Sequence, residues 1–424
     1  MKKYIVILLI SMSLFALGAC GSVGNVGGKS NGIKWLVEPK YENIGFFRNG
    51  YCKVCIEDKW GCIDKSGKEI IPCKYQYLDY FENGVAMVAY NNGFGVRNGV
   101  IDITDKEIIP FEYNDIIIRD TYIIATKGDV EKYFDLAGKE IAEKPNADKN
   151  SQDEIISAEY KKTQSYYSDM LPQIENKLGQ KIQWIRPCRS SHTYNPFFSD
   201  NYAIFRADNE KQGVVSKDGG IFIEPTYFRL EPVFEETVTK NELVGFTILK
   251  EGENDRAYED RKYGFISLDK KIVEPQFDNY YTDGFQEGLM VVMLNSKIGY
   301  IGKDGRIIEP KYDYISGNHL SSYVFQEGRA IIENENQKRY GVIDMDGNEV
   351  VPPKYMLIKK YSEGLAVVVN DENRFGYIDK SGKEVIAPQF AEALIFYEGF
   401  ASVRVKDEET YDSKWGIIIN PLDK

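Results

Sequence analysis

Four cysteines close together, Cys52, Cys55, Cys62 and Cys73, are the residues most readily read as chemistry, because thiolates at short spacing bind zinc or exchange disulfides. Cys52 and Cys55 form Cys-x-x-Cys. The residues around them alternate as in a strand, however, so positions three apart face opposite sides and share a metal only across a bulge. Cys52 also occupies the place that Ala86, Ala366 and Ala401 hold in similar surroundings, a small inward position. Cys55 and Cys62 fall diagonally on one face of a hairpin, which keeps a single disulfide open. Buried free thiols are the first expectation, one disulfide the second and a metal the third.

Other candidates are thinner. Asp344-Met345-Asp346-Gly347 begins like a calcium loop but lacks the later carboxylates and the distal Glu, and equivalent turns carry Lys65, Lys217 or Lys303, which would repel a cation. His192 and His319, the two histidines, lie in no nucleophile, phosphate-loop or zinc motif. Glu recurs before proline at Glu224, Glu274 and Glu309. Such recurrence marks scaffold, because an active site is normally built once. The expectation is a non-enzyme with no cofactor and no metal.

One segment departs from the rest. Residues 183–198 are locally basic in a chain of net charge −12 and hold Trp184, Arg186, Arg189, His192 and Tyr194, the candidate binding residues. The alternative is that these aromatics only pack on their surroundings. They follow residues 153–177, where apolar side chains at mixed spacings of three and four, interrupted by Pro172, predict a kinked amphipathic helix. Residues 144–200 therefore form a mainly helical insert between 33–143 and 201–424.

Outside the insert, one stretch is copied repeatedly and is clearest at residues 375–390, Phe-Gly-Tyr-Ile-Asp-Lys-Ser-Gly-Lys-Glu-Val-Ile-Ala-Pro-Gln-Phe. Asp379-Lys380-Ser381-Gly382 has the residues of a type I turn, as do Asp64 to Gly67 and Asp344 to Gly347. Short Ile-, Val- and aromatic-rich runs on either side read as a hairpin, and proline at the end of its second strand places that strand at an edge. A Glu-Gly or Asn-Gly pair, as at Glu287-Gly288, Glu327-Gly328, Glu398-Gly399 and Asn83-Gly84, then leads into a further strand.

One unit is thus a three-stranded meander. Markers fall at Trp60, Asn98, Gln212, Tyr263, Ile298, Tyr340, Phe375 and Trp415, with a degenerate copy near Glu131, and clean spacings are 35 to 42 residues. A single meander cannot bury both faces, so neighbours must cover each other. The fold class is all-β: tandem antiparallel β-meander repeats, either a β-propeller-like ring or an open β-solenoid. Residues 33–41 match only the last strand of a unit and the C-terminus only the first two, so a ring would let the ends complete one shared unit.

The repeated aromatic-Gly frame resembles the bacterial WG, or KWG, repeat family over almost the whole chain outside the insert. That resemblance implies a β-rich array with no general enzymatic activity, used for interaction. Asn98, Gln212 and Ile298 depart from it at the aromatic, and Asp105 and Lys270 stand where the turn glycine should be.

At the N-terminus, Lys2 and Lys3 precede an apolar run from Ile5 to Ala16 and then Leu17-Gly18-Ala19-Cys20, which reads as an export signal over 1–19. The run is too short for a membrane span. Leu-Gly-Ala-Cys looks like a bacterial lipobox, which implies cleavage before Cys20, its acylation, palmitate included, and anchoring on the extracytoplasmic face of the cell membrane. Residues 20–32, rich in Gly, Ser and Asn, form a flexible tether of about 19 Å root-mean-square span. The acidic surface repels nucleic acid. The expected role is a lipid-anchored binding or scaffold module for a protein partner. A carbohydrate or cell-wall binder is the alternative, since aromatic rings stack on sugars. Outward Tyr and Trp recurring at equal depth would favour the polymer, and a single patch near the insert would favour the protein.

Overall fold

The computed structural model describes residues 33–424 apart from 92–94, 144, 146–150, 190–197, 237–240, 251–260, 283, 315–322, 335, 407–412 and 424. Among these residues the strands assemble into eight four-stranded sheets and one three-stranded sheet, every named pair antiparallel. We number the units 1 to 9 by their markers: Trp60, Asn98, Glu131, Gln212, Tyr263, Ile298, Tyr340, Phe375 and Trp415. Each marker lies on the third strand of its own sheet, except Tyr340, which lies on the second strand of the three-stranded sheet of unit 7.

The expected meander gains a strand. A first strand precedes the Glu-Gly or Asn-Gly turn and is often only two residues long, as in Tyr77–Leu78, Leu357–Ile358 and Glu392–Ala393. The proline-bearing strand, such as Glu69–Tyr75 or Glu384–Phe390, is the outer edge of its sheet, with proline inside it and not at its end. There the ladder is irregular: Phe375 pairs with Phe390 and Tyr377 with Ile386, so two extra residues bulge opposite Gly376. A Cβ on Gly376 would lie 2.6 Å from the Ile386 carbonyl oxygen and from Pro388 N. Gly61, Gly264, Gly299 and Gly341 meet the same obstacle. The glycine after the aromatic is therefore required by a crossing backbone. Unit 3 carries Lys132 in that slot, and its fourth strand is cut to Glu140–Ile141.

The shared unit forms. Trp35–Tyr41 pairs with Ser413–Ile419 and completes the sheet that Glu392–Ala393 and Phe400–Lys406 begin. The two ends thus complete one sheet, as a propeller-like ring would require, while among the described residues no apolar cluster joins unit 3 to unit 4. Apolar clusters then join neighbours: unit 9 to 1 through Val37, Tyr41, Phe47 and Val54, 1 to 2 through Ile71, Leu78 and Val88, and 2 to 3 through Val100, Ile109 and Ile123. Equivalent clusters join 4 to 5, 5 to 6, 6 to 7, 7 to 8 and 8 to 9. Burying each such side chain stabilises by roughly 1.5–3 kcal/mol, which is why units that could not stand alone persist together.

Helices take the place of a neighbouring sheet on the remaining face of unit 4. The kinked helix is two helices, α1 at Ser151–Asp169 and α2 at Leu171–Leu178, parted at Met170 with Pro172 in the first turn of α2. Tyr167, Met170 and Ile174 pack on Ile185, Ala203, Phe205 and Val215. Gln164 donates to the Ile185 carbonyl at 2.6 Å, and Lys177 to that of Gly219 at 2.6 Å.

Turns bind the units a second time. Glu287, Glu327, Glu363 and Glu398 stand at φ 51 to 54, each followed by a glycine of positive φ, the backbone of a type I′ turn. That turn prefers Asn-Gly, and glutamate in it costs about 1 kcal/mol. The offset is a ladder of carboxylates. Glu287 accepts from the backbone N–H groups of Glu327 and Gly328, both at 2.7 Å, and Glu327 in turn from those of Glu363 and Gly364 at 2.7 and 2.9 Å. Glu363 accepts from Gly399, and Glu398 from Gly50, both at 2.9 Å. Lysines of the Asp-Lys turns reinforce it, Lys380 on Glu327 at 3.2 Å and Lys65 on Glu398 at 3.0 Å. Asp105 and Lys270, where glycine was expected, hold the same turn at φ 67 and 60.

Burial pushes the Glu398 carboxyl up, but Lys65 and the Gly50 N–H outweigh it and hold the group below its ordinary value of 4.5. A carboxyl depressed on folding contributes its stability above the unfolded value and loses it as pH falls through the folded one. Glu398→Gln is expected to lower unfolding free energy by about 1.5 kcal/mol at pH 7, with the gap to the parent closing on acidification below 4.5. Urea melts of both chains at several pH values measure this. A gap independent of pH would show that the charge is not what holds the turn.

Candidate functional site

The segment expected to be part of the insert is instead largely the first strand of unit 4, Ile182–Arg189, paired with Phe198–Ala207. Ile185 packs under α1 and α2, while Trp184 and buried Cys188 lie on the other side of the strand, against the cluster that joins units 4 and 5. This alternation reads as a strand because one face meets unit 5. Trp184 is half-buried, and the exposed Arg186 guanidinium lies over its ring, 4.8 Å from the centroid. Of Arg189 only the strand backbone is described, and His192 and Tyr194 lie outside the described residues, as does Cys20.

Arg186 opens on a cleft of about 370 Å³ between the first strands of units 4 and 5, beside α1. Its charged walls are Arg186, Arg229 and Glu231, its apolar walls Pro187, Ile204, Pro232 and Val233, and its hydroxyls Tyr160, Tyr280 and Thr282. The first strand of unit 5, Arg229–Glu236, carries Arg229 and Glu231 on the face opposite buried Leu230. Arg229 pairs with Glu231 at 2.5 Å, and the Tyr280 hydroxyl donates to the other oxygen of that carboxylate. Thr247 donates to the Tyr280 hydroxyl at 3.3 Å. Burial, and then Glu231, push the Tyr280 phenol well above its ordinary range, so it stays a neutral donor. Glu231 is thereby engaged on both oxygens. Arg186 has no carboxylate partner among the described residues.

Sequence reasoning found Trp184 and Arg186 and missed Arg229, Glu231, Tyr280 and Thr282 as site residues. The signal that could have located them is register: Arg229 and Glu231 flank Leu230 as Trp184 and Arg186 flank Ile185.

Aromatic exposure elsewhere is local. Phe46 stacks on Tyr80 with centroids 4.8 Å apart and meets Tyr397 edge-on at 6.0 Å, joining units 9, 1 and 2. Phe46 and Tyr80 sit two residues after buried Ile44 and Leu78, but the same position holds Ile118, Pro232, Thr282, Lys360 and Ile395 in other units. The rings do not recur at equal depth.

The cysteines are scaffold. Cys52, Cys55, Cys62 and Cys188 are buried free thiols and Cys73 is a half-buried one. Cys52 packs towards unit 9 and Cys62 towards unit 2, so the two sides of one sheet separate them. Burial raises the Cys62 thiol to about 12 and the Cys73 thiol to about 11, leaving little thiolate at neutral pH. Among the described residues no group of three or more His, Cys, Asp or Glu could hold a metal ion. In the Asp turns the carboxylate is already used: Asp379 accepts from the N–H groups of Ser381 and Lys383 and from the Ser381 hydroxyl.

Four segments of the chain match the WG containing repeat, residues 34–60, 60–94, 340–373 and 375–408. They cover the closing strand, units 1 and 8 and parts of units 2, 7 and 9. No curated protein matches the chain. Among solved structures it is similar to the extracellular domain of the putative hybrid two component system BT3049 from B. thetaiotaomicron, at 11% identity and a TM-score of 0.19 over 89% of this chain. The chain spans 57% of the length of that one. It is also similar to BamB from Moraxella catarrhalis, at 8% identity and a TM-score of 0.24, covering 90% of this chain and 95% of that one. The AfRom2 CNH domain is similar at 6% identity and a TM-score of 0.22, covering 90% and 99%. The architecture itself stands on the strand pairings of this chain.

Proposed function

We propose that this chain, which carries WG repeats in a propeller-like array, is a lipid-anchored extracytoplasmic scaffold that receives a protein partner at the cleft between units 4 and 5. The observation that carries the reading is that this cleft, unlike one of about 450 Å³ lined by Lys311, Asp313, Glu333 and Glu349, presents an arginine, Arg186, with no carboxylate partner among the described residues. Recurring polar groups are already engaged, the turn aspartates within their own turns and the glutamate ladder between units, and Arg229 is paired with Glu231, whereas Arg186 faces a cavity beside the helices. A cavity of about 370 Å³ lies in the usual size range of ligand sites. The role needs no enzymatic step and no cofactor.

A second reading, glycan binding, is favoured by Phe46, Tyr80 and Tyr397, whose rings offer one platform across three units. One platform without recurrence suits a polymer poorly. Photo-crosslinking from position 229 in intact cells tests the two. A discrete protein adduct supports the first reading, and retention of the chain on isolated cell-wall polysaccharide without any protein adduct overturns it.

The anchor belongs to the same proposal. Cleavage before Cys20 would leave residues 20–32 as a tether that precedes the closing strand Trp35–Tyr41 in the chain. Radiolabelled palmitate is expected to enter the chain and to be lost completely on Cys20→Ala. Label persisting in that variant would remove the anchor.

A further inference from the structure

We infer that the cleft between units 4 and 5 takes the carboxylate of an acidic peptide segment, an inference that rests on the protein-partner reading above. The described charged walls are two arginines and one glutamate in a chain of net charge −12, so the sign inverts locally. Glu231 is spoken for on both oxygens, by Arg229 and by Tyr280. The charge left over is the Arg186 guanidinium, which lies over the Trp184 ring 4.8 Å from its centroid. A planar, pre-oriented fork matches a carboxylate in two parallel hydrogen bonds, and one residual positive charge matches a monoanion better than a phosphate dianion. Tyr160 and Thr282 add hydroxyls at the wall.

Three observations choose peptide over acidic sugar and over strand addition. The Arg186 guanidinium lies over Trp184, so that ring face is not offered to a sugar. The remaining walls, Pro187, Ile204, Pro232 and Val233, suit aliphatic side chains flanking the acid. Both first strands are sheet edges, and Pro187 and Pro232 deprive them of an N–H, so an added strand would find an interrupted template. Recognition is therefore by side chains.

The test uses the intact mature chain and fluorescein-labelled acetylated hexaglutamate in a polarisation titration. Saturable binding is expected, with a loss of at least tenfold in Arg186→Gln, a smaller loss in Arg186→Lys and a gain of several-fold in Glu231→Gln, where Arg229 is released. Thermal midpoints of the three variants report folding, and Arg186→Lys, which keeps the charge, guards against a purely structural effect. Equal binding of labelled hexaglutamine, or hexaglutamate binding unchanged in both Arg186 variants, overturns the inference. Competition by oligogalacturonate as strong as by unlabelled hexaglutamate overturns the peptide assignment. A protein adduct from position 229 that survives Arg186→Gln would defeat this inference and leave the scaffold reading standing.

Discussion

Replacing Gly376 by alanine is expected to destabilise the chain by about 3 kcal/mol, the upper part of the range for forcing extra atoms into a packed site. The new Cβ would lie 2.6 Å from the Ile386 carbonyl oxygen and from Pro388 N, and 2.8 Å from Pro388 Cα, all backbone atoms of the paired strand. None is the end of a flexible side chain, so relief requires the bulge to open and Phe375 to part from Phe390. Gly84→Ala is the informative comparison. Gly84 has φ 84 but nothing within 4 Å of its absent Cβ, so that change carries only the conformational cost of about 1 kcal/mol. Urea denaturation of the two variants separates contact from conformation. If both lose the same amount, close approach is not the reason for the glycine, and the account of Lys132 shortening the fourth strand of unit 3 loses its basis.

That contrast also explains what was readable beforehand. Aromatic, glycine, apolar run and Asp turn follow one another within a single hairpin, so local order along the chain carried the last two strands of most units. Even Asn98 and Gln212, which lack the ring, keep the place: Gln212 accepts from the Leu230 N–H and Asn98 donates to the Asn114 carbonyl. First strands escaped because two residues such as Tyr77–Leu78 cannot display a period of two. The ladder escaped for a different reason. Glu287 and Glu327 are 40 residues apart, and a glutamate in a type I′ turn looks unfavourable until the next turn supplies its donors.

The cleft sits between these cases. Trp184 and Arg186 stood out by composition, as basic and aromatic residues in an acidic chain. Their assignment to the insert failed because the helices α1 and α2 interrupt the repeat directly before a strand that resumes it. Arg229, Glu231 and Tyr280 come from two later units and meet Arg186 only through the stacking of sheets, which no local window contains.

Stacking gives the largest expected effect of all. Removal of residues 33–41 is expected to lower unfolding free energy by roughly 5 kcal/mol or more, from the loss of buried Tyr41 and Val37 alone. The strand is a true fourth strand and not a decoration: its Val37 carbonyl and the Trp35 ring lie 2.8 and 2.7 Å from where a Gly416 Cβ would stand, the same close approach as in covalently continuous units. Trp35 also meets Phe390 edge-on at 6.3 Å, so unit 8 loses a contact too. Without the strand, Ser413–Ile419 becomes an open edge, which invites pairing between copies. The truncated chain should unfold at lower urea and show concentration-dependent association in sedimentation. A synthetic peptide of residues 33–42 added in excess should restore both, because closure is non-covalent and stabilises by mass action. A truncated chain that stays monomeric and melts at the parental midpoint would mean that the array does not depend on joining its ends.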